Sequence, residues 1–244
     1  MHVLVRLLMW SGLLLLVLGF WKQNDLPDAV DYARELLQEP EQVAVQEAPF
    51  QKTIGGITYT IYPRYRYTLN GMVVSLHDTG SWKDYLHQQW NDRLNVMDLC
   101  VIWGKNVSDS AWRDIRFSSG QFTCNFFTRS HEAFVKFDQT GISNNHLLTA
   151  NAALAEKLRD VKIGDQVRLR GYLAEYAHNH GFAFRRGTST VRTDTGNGAC
   201  ETLYVEDMTL LRPYHSGWRL AKLLGLVMLV VGVLGWVSLP VRIR

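Results

Sequence analysis

Apolar residues are distributed along this chain in three regimes, and each predicts a different kind of element. The first regime is unbroken. Val3 to Trp21 carries one charge, Arg6, and Leu220 to Leu239 carries one, Lys222, each near an edge of its run. Both are close to the ~20 residues that a helix needs to cross a bilayer. Trp10, Phe20 and Trp21 mark the first run, and Trp218 and Trp236 the second, as aromatic residues do at membrane interfaces. Gly19-Phe20-Trp21-Lys22 offers no small-x-small cleavage site, so the first run reads as an uncleaved anchor.

The second regime has period two, the signature of strands with one buried face. Its most regular stretch is 163–176. A Gly164-Asp165 turn opens it; Val167, Leu169, Gly171 and Leu173 then share one face, and Arg168, Arg170, Tyr172 and Ala174 the other. Gly171 inside the strand predicts a bend or a close backbone approach. Further strands are expected around Ile57, Tyr59 and Ile61, over Tyr65 to Leu76, over Asp98 to Gly104, over Phe122 to Phe127, and over Glu201 to Leu211.

The third regime has helical spacing. Leu147 to Asp160 holds Leu154 and Leu158 four apart, which predicts an internal helix. A second helix is expected to start at Leu26-Pro27-Asp28, with Ala29, Tyr32, Ala33, Leu36 and Leu37 as its apolar stripe and Pro40 as its stop. An extended linker would follow, as far as Pro49. Three strands, a helix and two strands is the element order of the OB-fold. The expected class is therefore mainly β (α+β): an OB-like five-stranded Greek-key barrel with one internal helix, flanked by two transmembrane helices. A plain antiparallel sandwich is the alternative. The expected ranges are 1–21 for the anchor, 22–49 for neck and linker, 50–215 for the β-domain and 216–244 for the second span with its basic tail.

Charge adds orientation. Net charge is +3 over 244 residues, too small to argue for a nucleic-acid partner. Arg6 at one end and Arg242 and Arg244 at the other favour cytoplasmic termini; Lys22, Arg34, Arg212, Arg219 and Lys222 run against this. A long loop translocates largely regardless of its charge. The expectation is a bacterial inner-membrane protein with its domain on the periplasmic side. Expected partners are the lipid bilayer and other membrane proteins or a second copy, with no nucleic acid, no cofactor and no metal.

The runs Asp98-Leu99-Cys100-Val101-Ile102-Trp103-Gly104, Ser143-Asn144-Asn145-His146-Leu147-Leu148 and Arg192-Thr193-Asp194-Thr195-Gly196-Asn197-Gly198-Ala199-Cys200-Glu201 resemble those of bacterial membrane proteins with two terminal spans and an OB-like domain. The resemblance covers most of the chain and implies no activity.

Candidate chemistry is sparse. No P-loop, dinucleotide fingerprint or nucleophile elbow is present. Asp-Thr-Gly occurs at 78–80 and 194–196; two such loops could place Asp78 and Asp194 as a carboxylate pair sharing one proton, as in aspartic proteases. Against that stand the short chain and the polar run before the second loop. His146 could serve as a base or a ligand, or simply bond to the backbone. His178 and His180 make a poor metal site without a carboxylate nearby. Arg185, Arg186 and Arg192, with Arg168 and Arg170, could form a cationic binding patch beside the connection from the fourth strand to the fifth, a region that OB-folds use for ligands. The bland alternative is a solvated cationic face. The leading expectation is a non-enzymatic binding or assembly module; the others are a membrane-bound hydrolase using Asp78 and Asp194, and a cytoplasm-facing nucleic-acid binder.

Three cysteines allow one intramolecular disulfide. A hairpin with its loop between Gly104 and Gly120 would put Cys100 opposite Cys124, leaving Cys200 as the odd thiol.

Overall fold

The computed structural model describes residues 2–27, 31–194 and 199–238. In chain order the elements are α1 (His2–Lys22), a 3-10 turn at Arg34–Leu37, β1 (Glu41–Ala44), β2 (Phe50–Ile54), β3 (Ile57–Asp78), α2 (Leu86–Gln89), β4 (Asn95–Ile102), α3 (Lys105–Ser108), a 3-10 turn at Ala111–Asp114, β5 (Arg116–Gly120), β6 (Thr123–Phe127), α4 (His131–Lys136), β7 (Ile142–Leu148), α5 (Ala152–Arg159), β8 (Gln166–Asn179), β9 (Ala183–Arg186), β10 (Glu201–Arg212) and α6 (Gly217–Ser238). The class is mixed α+β. Two compact units form, Met1–Pro27 with Tyr214–Arg244, and Asp28–Pro213.

The first unit pairs α1 with α6. Both helices are long and apolar enough to cross a membrane by length and composition. Their leucines and valines point outward, and the buried positions are glycines: Gly12 and Gly19 on α1, Gly225 and Gly232 on α6. A Cβ on Gly225 would lie 2.5 Å from the Leu16 nitrogen, and one on Gly19 would lie 2.6 Å from the Lys222 nitrogen. Apolar side chains gain nothing by meeting each other rather than lipid, so close backbone packing through small residues holds such helices together.

The second unit is organised by β3. This strand is 22 residues long and is paired on both edges. Along one edge it meets β2, β1 and β4 in succession, and along the other it meets β8 from Thr60 to Met72. Irregular register at Arg64 and Val74 marks bulges, which bend a strand and increase its twist. β4 pairs antiparallel with β7, β7 runs parallel to β10, and β10 pairs antiparallel with β8. The pairings β3-β4-β7-β10-β8 thus return to β3 as a ring.

Alternation along β8 feeds two apolar clusters. Val167, Leu169 and Leu173 join Leu99, Val101, Leu147, Leu203 and Met208, covered by Leu154 and Leu158 of α5. Tyr172, Ala174 and Tyr176 face the other way, and are buried with Ile57, Tyr59 and Ile61 beneath the β2–β3 hairpin. The expected outward face of β8 is therefore exposed only in part: Arg170 is exposed, Arg168 is half-buried, and Tyr172 and Ala174 belong to a second core.

Several expectations need correction. Among the described residues of the expected neck helix there is only the turn at Arg34–Leu37; Asp28 and Ala29 lie outside the described residues. The segment packs as part of the β unit, with Leu36 fully buried, its carbonyl accepting from Gly104 N–H at 2.7 Å, and Ala33 N–H donating to Gln166 Oε1 at 2.8 Å. The expected linker contains β1. The third strand of the ring is β7, in a stretch expected as a polar loop running into a helix, whereas Thr123–Phe127 pairs with Arg116–Gly120 in a separate two-stranded sheet. The internal helix starts only at Ala152, where Asn151 Oδ1 caps Leu154 N–H at 3.2 Å. Thr195-Gly196 and the basic tail 241–244 lie outside the described residues.

Cys100 and Cys124 are joined by a disulfide, and Cys200 is free. The expected hairpin register is not the reason. Cys100 pairs in the sheet with Ser75 and Asn144, and Cys124 pairs with Ser119. The bond therefore ties the β5–β6 hairpin onto β4.

Gly171 offers a direct test of the ring. A Cβ there would overlap the carbonyl of Tyr204 on β10, so Gly171→Ala forces β8 and β10 apart. We expect a loss of about 3 kcal/mol in chemical denaturation. Gly187→Ala, with open space around the added methyl group, should change stability little.

Candidate functional site

The ring carries polar side chains where its apolar core would otherwise continue. Asp98 on β4 and His146 on β7 are ladder partners, which places their side chains together. Both are essentially fully buried. His146 Nδ1 donates to Asp98 Oδ1 at 2.7 Å, Asn95 Nδ2 donates to the same oxygen at 3.0 Å, and Phe122 N–H donates to Asp98 Oδ2 at 3.2 Å.

The chain of hydrogen bonds continues in both directions. Outward, Arg186 donates to His146 Nε2 at 3.0 Å. Inward, Asn95 Nδ2 also donates to His87 Nε2 at 2.9 Å, and His87 Nδ1 meets Asp84 Oδ2 at 2.6 Å. His77 Nε2 reaches that same Asp84 oxygen at 2.7 Å. An amide nitrogen and a guanidinium can only donate. This assigns Nε2 of both His87 and His146 as acceptors and leaves the proton of each on Nδ1.

Phe122 is the hub of this arrangement. It ends the β5–β6 turn at φ 66°, a left-handed conformation that a bulky residue rarely adopts. Its ring stacks on Trp90 at 5.1 Å, lies 4.3 Å from His87 and meets His146 edge-on at 5.8 Å. The guanidinium of Arg186 sits 4.0 Å above it, within cation–π range.

These groups open onto a cleft of about 820 Å³ whose lining includes Phe122, Phe126, Asn144, His146, Arg186 and Cys200. Asn144 Oδ1 and one terminal nitrogen of Arg186, Nη1, are buried without a partner. Asn144 Nδ2 donates to Cys200 Sγ at 3.5 Å, and that thiol donates to the Phe122 carbonyl at 3.6 Å.

Protonation states follow from the surroundings. Burial alone would raise the Asp98 carboxyl; the charge and hydrogen bond of His146 and the Asn95 amide outweigh it and hold the group below its ordinary range. Burial is also the largest influence on His146 and lowers it, against the pull of Asp98, so the imidazole stays neutral. Burial pushes the Cys200 thiol up, which keeps it protonated and a weak nucleophile. Nε2 of His146 already accepts from Arg186. Among the described residues the cleft therefore presents no activated nucleophile with a free base beside it.

The residues singled out from the sequence are dispersed. Arg168 bonds Asn70 and Glu35, Arg170 pairs with Asp207, and Arg185 makes two bonds to Glu175. Arg192 donates to the Pro40 carbonyl and lies over Tyr67 and Trp103. Of the five arginines only Arg186 lines the cleft. Asp78 Oδ1 accepts from Gly80 N–H at 2.9 Å and lies 3.8 Å from Arg159, while Asp194 Oδ2 accepts from the Ser189 hydroxyl at 2.6 Å. Neither carboxylate has the other as a partner. His178 donates through Nε2 to the Trp90 carbonyl at 2.9 Å and stacks on Phe184, a packing role.

Spacing along the chain does not reveal Asp98, Asn95, Phe122, Asp84, His87 and His77 as a site, because sheet register and the loops packed against it bring them together. The three runs quoted for the family resemblance do meet here: Asp98 bonds His146, Asn144 bonds Cys200, and Arg192 lies over Trp103.

Glu201, next to Cys200, supplies a pH test. Its Oε2 is buried without a partner. Burial pushes the carboxyl from its ordinary 4.5 up to about 8, the Arg192 charge opposing and Asp194 adding. Below pH 4.5 the group is protonated folded or unfolded. Between pH 4.5 and about 8 the unfolded chain has released a proton that the folded chain keeps, so this group makes stability fall as pH rises; above about 8 the penalty is constant. Glu201→Gln should therefore gain on the wild type across that window, by at most about 5 kcal/mol, read from unfolding midpoints at a series of pH values.

Comparison with protein-family models, with curated proteins and with solved structures finds no match to the chain.

Proposed function

We propose that this chain is a two-span inner-membrane protein that displays an OB-like binding domain outside the cytoplasm. In this reading it works as a non-enzymatic recognition module within a membrane assembly. The single observation that carries the proposal is the setting of Arg186. Its guanidinium is held over Phe122 and against the neutral His146 at the wall of the cleft, with Nη1 unpartnered. Asp92 and the Tyr176 hydroxyl act on this cation from the interior, but no carboxylate among the described residues forms a direct ion pair with it, and a cation placed in this way suits an anionic group on a ligand or partner.

The OB-like reading rests on strand order. The ring β3-β4-β7-β10-β8, with α5 between β7 and β8, follows the order of that Greek-key barrel, and the cleft lies beside its third strand and its fourth-to-fifth connection. The placement outside the cytoplasm is supported by the Cys100–Cys124 disulfide, since such bonds persist in oxidising compartments. Asp78 and Asp194, the carboxylates of the hydrolase reading, bond to Gly80 and Ser189 rather than to each other, which favours binding over that reading.

Two measurements test this. Trp82 is highly exposed on the domain, so a Trp82→Cys variant should react with a membrane-impermeant maleimide in intact bacteria, above the background of the wild type. Reaction only after the inner membrane is opened would reverse the orientation and restore the nucleic-acid reading. Separately, Arg186→Gln should lower recovery of cross-linked partners from membranes by at least ~10-fold, the effect expected on removing a charge-assisted bond worth about 1.5–3 kcal/mol. Unchanged recovery would remove Arg186 from the recognition surface.

A further inference from the structure

We propose that His77, Asp84 and His87 form a binding site for a divalent transition-metal ion, with zinc as the ion best suited to the donors. The three residues do not line the cleft, to which Asn95 and Asp98 link them, and the site does not rest on the reading of Arg186.

Three different elements bring the donors together. His77 stands near the end of β3, Asp84 in the following turn, and His87 in α2. Their ligand atoms all lie within 4.8 Å of one another. His77 Nε2 and His87 Nδ1 converge on one oxygen, Asp84 Oδ2, at 2.7 and 2.6 Å. Donor atoms around a tetrahedral zinc with bonds of about 2.0–2.1 Å stand roughly 3.3 Å apart. Opening these two contacts by well under 1 Å, with the two imidazole nitrogens, which lie within 4.8 Å of one another, coming to the same spacing, would seat the ion. Two imidazoles and one carboxylate, with a fourth position left for water, is a donor set found at zinc sites. Nitrogen and oxygen donors without thiolate disfavour copper(I).

The surroundings supply what a metal site needs beyond its ligands. The carboxylate is fixed, because Asp84 Oδ1 accepts from the His87 backbone N–H at 3.0 Å. When Nδ1 of His87 binds a metal, its proton must move to Nε2, which then needs an acceptor. One acceptor lies close by. Asp92 Oδ2, which accepts from the Tyr176 hydroxyl, lies 3.9 Å from His87 Nε2, and a shift of the ring toward it would complete a carboxylate–histidine–metal arrangement. Asn95, whose amide touches the same nitrogen at 2.9 Å, is 2% exposed and has its Oδ1 buried without any partner. Such an orphan is costly in a structure that otherwise pairs its buried polar atoms. The Asn95 nitrogen also donates to Asp98 Oδ1 at 3.0 Å, so the amide keeps its orientation and the Nε2 proton goes to Asp92 as the ring moves to admit the ion. His77 is the only ligand with a solvent-facing edge, at 13% against 0% for Asp84 and 2% for His87, so the ion would enter from its side.

The test uses the full-length chain in detergent, without an affinity tag, stripped with a chelator and titrated with Co²⁺ as a spectroscopic stand-in for Zn²⁺. We expect one ion per chain, visible d–d absorption of low coordination number, and an unfolding midpoint raised by Zn²⁺. His77→Gln and His87→Gln should each weaken binding by at least ~10-fold, a ligand counting for no less than the 10–100-fold of an outer-shell partner. His180→Gln should leave it unchanged. His77→Gln changes the most exposed member of the three, so it keeps the test valid where the buried variant fails to fold. No saturable cobalt spectrum in the wild type, or an undiminished one in His77→Gln, would overturn the proposal.

Discussion

Every peptide group that leaves water must find a partner, and in this protein that requirement falls hardest on β3. Its 22 residues are paired with four strands, so both edges of its backbone are satisfied over much of its length. The bulges at Arg64 and Val74 bend and twist it. The bend lets Thr60–Met72 pair with β8 while Met72–Asp78 pairs with β4. Ring closure follows from these two pairings, and burial of the apolar cluster from Tyr67 to Met208 follows from ring closure. Loss of register in β3 would flip inward residues outward along every strand that it touches.

Closure also explains why the polar site is where it is. His77, Asp98, His146 and Thr202 are successive ladder partners across β3, β4, β7 and β10, a row of polar residues running through an otherwise apolar wall. A buried charge such as Asp98 is tolerable only when its oxygens are occupied, and three donors occupy them. Removing one donor would expose the cost of the rest, since networks of this kind are stable complete and unstable in part. Arg186 and Phe122 seal one end of the row, and Asp84 the other.

How far this was legible varied along the chain. Regular alternation placed β8 and β10, and helical length placed α1 and α6, because in those segments the apolar pattern is the structure. β7 escaped for the opposite reason. Asn144, Asn145 and His146 look like a loop, yet their donors are used within the fold: Asn145 Nδ2 reaches the Ser143 hydroxyl and the Leu99 carbonyl, Asn144 Nδ2 reaches Cys200, and His146 reaches Asp98. Hydrophobicity cannot mark a strand that is buried by hydrogen bonding. Arg185 and Arg186 are neighbours in sequence and alternate in the strand, so one pairs with Glu175 on the surface and the other turns into the cleft. The cysteine pairing was named from a register that does not exist; the partners are joined because the β5–β6 hairpin folds back over β4.

That hairpin gives the disulfide a meaning beyond stability. Cys124 lies two residues from Phe122, and Cys100 two residues from Asp98. The cross-link therefore clamps the aromatic hub onto the strand that carries the buried acid. The ring itself is closed by backbone ladders that do not involve this bond, so breaking the bond by the return of two electrons would free the hub from β4 at a wall of the cleft without cutting any pairing of the ring.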